Sequence, residues 1–343
     1  MRARIPLLLL GTLCALALAE VSARAFGLSK TWQSYLASRD VNRPEQFTGG
    51  PLGFRRVPGR SWSMPFGQTV TANARGFRDE EFTVPKPVGI LRVAFLGDFV
   101  TEGYGVALGQ RFSDVAKRDL CLRGRRRYEV LNFGVAGHAT ADQYLVLREH
   151  VLDHVPDLVV LQVAWNDFAR NAQKLPLLEA PASEAPRTAG PTPEPPSPAF
   201  KVFLQRHSAF YLAVAERASV LRLRRGGSSS VLDNVLATST EAWESTRRIL
   251  GRFVELCRAH GIGVLVLYVP MDVEVQAGDT AKATVTRSRL REISEVQPAV
   301  VFVDVLDVLR RNRDRSLYLD DIHLTVEGHR IVGEAIARAI LER

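Results

Sequence analysis

The chain contains 343 residues, of which 46% are hydrophobic and 24% are charged, and it carries a formal net charge of +8. This composition is that of an ordinary globular protein, so it excludes wholesale disorder and a multispanning membrane protein. The positive charge comes mostly from arginine in short runs such as 123–127 and 222–225. These runs lack a recognisable nucleic-acid-binding module or interleaved aromatic residues, so we expect no nucleic acid partner.

The chain opens with the features of an export signal. Arg2 and Arg4 precede an uncharged apolar run over residues 5–19, in which Ala17-Leu18-Ala19 matches the small-residue pattern of a cleavage site. As a helix the run would be about 22 Å long, which is short for a hydrocarbon core of about 30 Å. We therefore predict that residues 1–25 form a cleaved signal peptide, with a signal anchor held in the inner membrane through residues 5–19 as the alternative. In both cases the rest of the chain is exported to the periplasm or the extracellular space.

Residues 26–86 are rich in glycine, proline and arginine with little periodicity, which predicts an irregular N-terminal extension packed on the main domain at 87–343. From Ile90 onward, short apolar runs alternate with amphipathic stretches, a pattern typical of β-α-β units and a parallel sheet. Strands are predicted at 91–96, 128–133, 158–163, 263–269 and 300–305, and the clearest helices at 112–122, 141–152, 241–260 and 326–341. We therefore predict an α/β fold, a three-layer α/β/α sandwich around a five-stranded parallel sheet.

A compositionally biased stretch interrupts this domain. Residues 175–199 are dense in proline, alanine, glutamate, threonine and serine, and such a stretch cannot build a packed core. We predict an extended or disordered insertion that acts as a linker. Because it follows the third strand at the carboxyl edge of the sheet, the alternative is that it borders a ligand site.

The cysteines and histidines give no metal-binding or redox motif. Cys14, Cys121 and Cys257 are far apart and form no Cys-x-x-Cys pair. Cys121 and Cys257 lie in apolar helical patterns, which favours buried free thiols over a disulfide between them. Only His150 and His154 share helical spacing, and such a pair is more typical of a solvated face than of a ligand pair. We therefore expect no metal site, and no feature implies a cofactor.

Four short blocks of chemically active residues end predicted strands or precede predicted helices. They are residues 96–103, 132–138, 164–167 and 320–325. Because the carboxyl ends of parallel strands meet at one edge of a sheet, the blocks can form one site. That site would hold a histidine, a carboxylate three residues before it, an asparagine amide and glycine backbone N–H groups.

In these blocks the sequence resembles the SGNH or GDSL hydrolase family, and specifically its exported bacterial members, which carry a leader and an Asn-x-x-Gly-Phe-Arg segment, here residues 73–78. The resemblance extends from about residue 73 to the end of the chain and implies an SGNH/flavodoxin-like fold with activity on ester bonds. By position, Gly137 and the Asn166 side chain would donate hydrogen bonds to the oxyanion. His323 would be the general base, and Asp320 would orient its ring.

The sequence departs from the family at the nucleophile. Phe99 stands where the family has its serine, although Gly97, Asp98, Thr101 and Gly103 match around it. A phenyl ring cannot attack an ester, and losing the nucleophile of a triad removes most of the rate. Thr101 is a weaker alternative, because a two-residue offset in this turn should point its hydroxyl elsewhere. Direct activation of water by the histidine and aspartate is weaker still, because Phe99 would occupy the space.

Two functions therefore stay open. The resemblance implies an exported ester hydrolase, or an O-acyl esterase or transferase, that acts on small-molecule or glycan acyl esters and is degenerate through Phe99. The alternative is a catalytically inactive pseudoenzyme that binds an envelope glycan or a protein partner, with Phe99 as an apolar contact surface. The presence or absence of a hydroxyl beside the His323 ring separates the two. The sequence carries no signal for an oligomeric state.

Overall fold

The computed structural model of the chain describes residues 4–29, 44–50, 52–64, 69–164, 166–180, 200, 203–204, 207–224, 240–277, 281–297 and 300–343. The strands are β1 (Phe47–Thr48), β2 (Arg55–Arg56), β3 (Ser61–Ser63), β4 (Thr69–Thr71), β5 (Ile90–Leu96), β6 (Arg127–Asn132), β7 (Leu158–Val163), β8 (Gly263–Tyr268) and β9 (Val300–Asp304). The helices are α1 (Arg4–Ala25), α2 (Phe99–Glu102), α3 (Phe112–Arg123), α4 (Thr140–Val146), α5 (Asp167–Glu179), α6 (Ala209–Arg224), α7 (Thr240–Ala259), α8 (Asp272–Ala277), α9 (Ala281–Val296), α10 (Leu306–Arg311) and α11 (Val326–Leu341).

Five strands form a central parallel sheet in the order β6-β5-β7-β8-β9. The predicted α/β fold is confirmed, and the observed strands begin and end within one residue of the predicted positions. The middle strand, β7, is buried at every position. Burial on both faces of a parallel sheet explains why its sequence is an almost unbroken apolar run. Its one polar residue, Gln162, lies beside the predicted site.

Helices cover both faces of the sheet, and neighbouring residues of a strand enter different cores. On β5, Ala94 and Leu96 join the core formed with α4, α5, α7 and α9, while Val93 and Phe95 join the core formed with α3, α10 and α11. The period of two between these faces is that of a strand. The molecule is therefore the predicted three-layer sandwich.

The N-terminal extension, where it is described, is built into this domain. It forms two short antiparallel hairpins, β1 with β2 and β3 with β4. Phe54 and Phe77 are fully buried in the core that also contains α5 and α7. Trp62 and Met64 form a separate buried cluster with Tyr104, a residue that follows α2. The extension thus supplies apolar surface to the core and to the region around α2.

Two buried arginines of the extension hold the chain that follows Phe99. Arg56 donates from Nε and Nη2 to the two carboxylate oxygens of Glu102, at 2.6 and 2.8 Å, and neither side chain is exposed. Arg78, in the Asn-x-x-Gly-Phe-Arg segment, donates to the backbone carbonyls of Glu102, Gly103 and Val106. The bidentate pair of Arg56 with Glu102 fixes orientation as well as distance. The position of α2 therefore depends on residues before the sheet.

The described part of the predicted leader is helical. In α1, the Glu20 carboxylate accepts hydrogen bonds from the Ser208 hydroxyl at 2.8 Å and from the backbone N–H of Ala209 at 3.0 Å, so it caps the start of α6. Ala23 is buried against the same helix. Among the described residues, no helix is both long enough and apolar enough to cross a membrane. The export signal stays a prediction.

The start of the predicted insertion differs from the expectation. Helix α5 runs to Glu179, so residues 175–179 are helical and not part of an extended linker. Leu175 is buried against Ala141 and Ile249, and this packing outweighs the low helix propensity of Pro176. Residues 181–199 lie outside the described residues.

The cysteines are free, which agrees with the preference for free thiols over a disulfide. Cys257 is buried on α7, and burial raises the pKa of its thiol to about 12. The expected burial of Cys121 is wrong, because its side chain is exposed on α3. The two thiols lie on opposite faces of the sheet and cannot reach each other.

We predict that Arg78→Met lowers the free energy of unfolding by about 3 kcal/mol, because it leaves buried backbone carbonyls of residues 102–106 without their donor. Urea unfolding followed by fluorescence measures this change. Arg75→Met is the matched control, since Arg75 is exposed three residues earlier. Equal losses in the two variants would contradict the assigned role of Arg78.

Candidate active site

The first block forms the turn between β5 and α2. Asp98 caps the helix, because its Oδ1 accepts a hydrogen bond from the backbone N–H of Val100 at 2.9 Å. Gly103 ends the helix with φ of +86°, a conformation that favours glycine. Phe99 is therefore the first residue of a single helical turn, held at the carboxyl edge of the sheet.

Thr101 faces away from the predicted base. Its side chain is fully buried, and its hydroxyl donates to Gln162 Oε1 at 3.0 Å. The same oxygen accepts the backbone N–H of Asp98 at 3.2 Å. A side chain at Gly97 would collide with the Thr101 hydroxyl, so the contact requires glycine there. The hydroxyl of Thr101 thus holds the turn against β7.

The last block forms a histidine–aspartate pair. His323 Nδ1 lies 2.6 Å from Asp320 Oδ2. The other oxygen, Oδ1, accepts the backbone N–H groups of Ile322 and His323 at 2.9 and 2.7 Å. The carboxylate is therefore fixed by its own loop and can orient the imidazole, as the base of an acyl-transfer site requires.

Two aromatic rings enclose His323. The Tyr104 ring stacks on the imidazole with centroids 3.8 Å apart and planes 23° from parallel. The Phe99 ring meets it edge to face at 4.7 Å. Phe99 also packs against the core formed with α3, α10 and α11 and against the cluster of Trp62 and Met64. The residue at the nucleophile position is thus a packing residue in contact with the predicted base.

Among the described residues, no hydroxyl is hydrogen-bonded to the ring of the predicted base. Within the part of the chain that the structure describes, the His323 ring hydrogen-bonds only to Asp320. The cavity next to Phe99, lined also by Ala164 and Ile322, has a volume of about 10 Å³. Such a volume has room for about one water molecule. This cavity is therefore too small to hold an acyl group.

The two predicted oxyanion donors are linked through Arg170. Gly137 has φ of +86°, and its carbonyl accepts a hydrogen bond from Arg170 Nη1 at 3.2 Å. Asn166 is buried just before α5, and its carbonyl accepts the Arg170 backbone N–H at 3.3 Å. The Asn166 Oδ1 atom has no hydrogen-bond partner among the described residues. The Arg170 side chain thus joins the second and third blocks, and the contact of Phe99 with His323 joins the first and last. The first block is also joined to the second, because the Val135 backbone N–H donates to the Gly97 carbonyl at 3.1 Å.

Two carboxyls that belong to these blocks, those of Asp98 and Asp167, are fully buried. Burial raises the pKa of Asp98 to about 6, although the Val100 N–H and the charges of Arg170 and His323 oppose the shift. Burial and the charge of Asp98 raise the pKa of Asp167 well above its ordinary value. The two carboxyls therefore favour at least partial protonation near neutral pH.

The remaining histidines have structural surroundings. His138 is fully buried, its Nε2 lies 2.6 Å from the Phe54 carbonyl, and burial lowers its pKa to about 4. His150 contacts the buried Phe77 ring and His154 the partly buried Phe82 ring, and His154 is itself fully buried, so it does not lie on a solvated face. In the described ranges no three histidine, cysteine or acidic side chains come together as a metal site would require.

The sequence located Phe99, Asp320 and His323, which the structure brings into contact. It missed Tyr104 and Arg170, which contact His323 and Gly137 respectively. Tyr104 directly follows the first block, so an aromatic residue at that point was the available signal. No local sequence pattern indicates the role of Arg170, because its contact with Gly137 joins residues 33 positions apart.

A sequence profile described as the GDSL-like Lipase/Acylhydrolase family matches residues 95–331, which is more than half of the chain. The comparison with curated proteins gave no match.

Solved structures match the chain at low sequence identity. A catalytic mutant of an acetylxylan esterase from Geobacillus stearothermophilus matches with a TM-score of 0.44 and 17% identity, over 73% of this chain and 94% of the other. A lipase/acylhydrolase from Enterococcus faecalis matches with a TM-score of 0.41 and 17% identity, over 74% and 96%. A lipolytic G-D-S-L family member from Veillonella parvula matches with a TM-score of 0.43 and 10% identity, over 74% and 99%. These likenesses are too distant to indicate a shared substrate.

We predict that Asp98→Asn becomes more stable relative to the parent as pH rises from 4 to 7, by about 2 kcal/mol. The folded parent holds the Asp98 proton up to a pKa of about 6, above the ordinary value of 3.8, so its stability falls as pH rises through this window. Asparagine does not titrate and can still accept the Val100 N–H. Urea unfolding at several pH values measures the difference, and the exposed Asp314→Asn serves as the control. A pH-independent difference for Asp98→Asn would contradict the buried, protonated carboxyl.

Proposed function

This chain belongs to the GDSL-like lipase/acylhydrolase family, and from that premise we propose that it is an exported member that no longer hydrolyses esters through a serine and acts as a binding protein. The family's hydrolases act on acyl esters, and the scaffold for that chemistry is present. The nucleophile is the missing part. The export signal at residues 1–25 supports a partner in the cell envelope.

The packing of Phe99 against His323 carries this proposal. The ring centroids are 4.7 Å apart, and among the described residues the imidazole finds no hydroxyl to activate. A general base needs a proton donor within about 3.2 Å, and a triad without its nucleophile keeps only the small rate that binding and oxyanion donors supply. His323 and Asp320 alone therefore do not support acyl-enzyme chemistry.

The alternative nucleophiles have weaker support. The Thr101 hydroxyl is buried, and it donates its proton to Gln162 and not to His323. A water activated by His323 would need space for an acyl group beside it, and the cavity at Phe99 is about 10 Å³. The small cavity also offers no buried position for a glycan beside Phe99. A protein partner, or a ligand at another surface, fits the structure better.

We predict that the full chain hydrolyses nitrophenyl acetate no faster than the buffer does, and that Phe99→Ser gains at least a hundredfold over the parent. The added serine would lie beside His323, and the gain should disappear in Phe99→Ser/His323→Ala. Initial rates by nitrophenolate absorbance measure this.

Phe99→Ala is the matched control, because it opens the same space without supplying a hydroxyl. Activity in Phe99→Ala would indicate water activation instead of a restored nucleophile. Hydrolysis by the parent that His323→Ala abolishes would overturn the proposal. In that case Thr101→Val would separate the threonine route from the water route.

A further inference from the structure

A groove lies at the amino ends of the strands, at the end of the sheet opposite Phe99. Its volume is about 660 Å³, whereas the cavity beside Phe99 has about 10 Å³. Small-molecule sites commonly measure about 300–1,000 Å³. The groove is therefore large enough to hold a ligand, whereas the cavity beside Phe99 is too small for one.

The floor of this groove is apolar. It consists of the buried side chains of Val93, Leu158 and Ile340 and the half-buried Leu91 and Leu341. These residues come from two neighbouring strands and from the end of α11. Covering the half-buried Leu91 and Leu341 with a hydrocarbon chain would remove apolar surface from water and favour binding.

The rim of the groove is basic. Arg125 and Arg126 lie between α3 and β6, and Arg343 follows α11. All three are exposed, and in the described ranges none of them has an acidic partner. Burial by the groove lowers the pKa of Arg343, so its guanidinium is partly removed from solvent. Guanidinium groups in this state favour a carboxylate or phosphate partner.

The one acidic side chain among the described lining residues already has a cationic partner. Asp157 pairs with Lys86 Nζ and accepts the backbone N–H of Arg92 at 2.6 Å. It therefore does not cancel the charge of the three arginines. The groove combines an apolar floor with a rim of three arginines that have no acidic side-chain partner among the described residues.

Helix ends do not account for this charge. Cations favour the last turn of a helix, and Arg123, which also lies 3.9 Å from Asp119, fits that explanation. Arg125 and Arg126 follow Gly124, where the backbone is extended with φ of −73° and ψ of 145°. The effect of a helix dipole fades beyond its last turn, so it does not explain the positions of these two arginines.

We propose that this groove binds a single-chain anionic amphiphile. Its carboxylate or phosphate head contacts Arg125, Arg126 and Arg343, and its hydrocarbon chain covers the apolar floor. A concave floor with buried residues suits one chain better than a flat bilayer surface. This site is separate from the cleft at Phe99, so it does not depend on whether esters are hydrolysed.

We predict saturable binding of one dodecyl phosphate by the full chain, measured by isothermal titration calorimetry below the critical micelle concentration. Arg125→Ala/Arg126→Ala should weaken the affinity at least tenfold, because it removes two charge-assisted contacts. Leu341→Ser should weaken it about threefold through the floor. Inorganic phosphate and the neutral dodecyl maltoside should each bind at least tenfold more weakly, because each supplies only half of the interaction.

The matched control is Arg311→Ala/Arg313→Ala, which removes two exposed arginines outside the groove and should change the affinity less than twofold. Equal losses in the two double variants would overturn the site, since they would indicate general electrostatic attraction. Absence of saturable binding would overturn it as well. Binding to phosphatidylglycerol vesicles without binding of dodecyl phosphate would replace the single-chain ligand with a membrane surface.

Discussion

The arrangement of the candidate site depends on the buried ion pair between Arg56 and Glu102. Neither side chain is exposed, and removing two such charges from water is costly unless the geometry is good. Two hydrogen bonds, and the rings of Phe47 and Trp62 against the guanidinium, offset this cost. Because Glu102 ends α2, the pair fixes the helical turn that begins with Phe99 to the N-terminal hairpins. The extension is therefore part of the site's framework.

At position 99, a phenylalanine that provides packing surface stands where the family has its reacting serine. Its ring contacts His323, the main core and the cluster around Trp62, so it joins two hydrophobic clusters that a serine would leave separate. The histidine–aspartate pair persists beside it for a reason that needs no nucleophile. Asp320 also accepts two backbone N–H groups of its own loop. The pair thus has a structural use, and its presence alone is weak support for catalysis.

The sequence predicts the features that local pattern encodes. Strand positions follow from apolar runs, and the pairing of Asp320 with His323 follows from their spacing in one loop. Features that depend on contacts between residues far apart in sequence cannot be predicted from local pattern. The helical residues 175–179 are held by contacts of Leu175 with α4 and α7, although their composition favours a loop. The stacking of Tyr104 on His323, and the anchoring of residues 102–106 by Arg78, likewise join segments far apart in sequence.

The same long-range anchoring sets an order on folding. Residues 44–64 are synthesised early, yet Arg56 pairs with a carboxylate 46 positions later, and the backbone N–H of Gly53 donates to Asp142, 89 positions later. Contacts over such separations form slowly, because the chain loses loop-closure entropy before the contact contributes any favourable free energy. The hairpins therefore gain their stability only after β5, β6 and α4 have assembled, and a nascent chain carries an unpaired Arg56 until then. Synthesis runs from the N-terminus, whereas the N-terminal segment completes its contacts only once residues as far along the chain as Asp142 are in place.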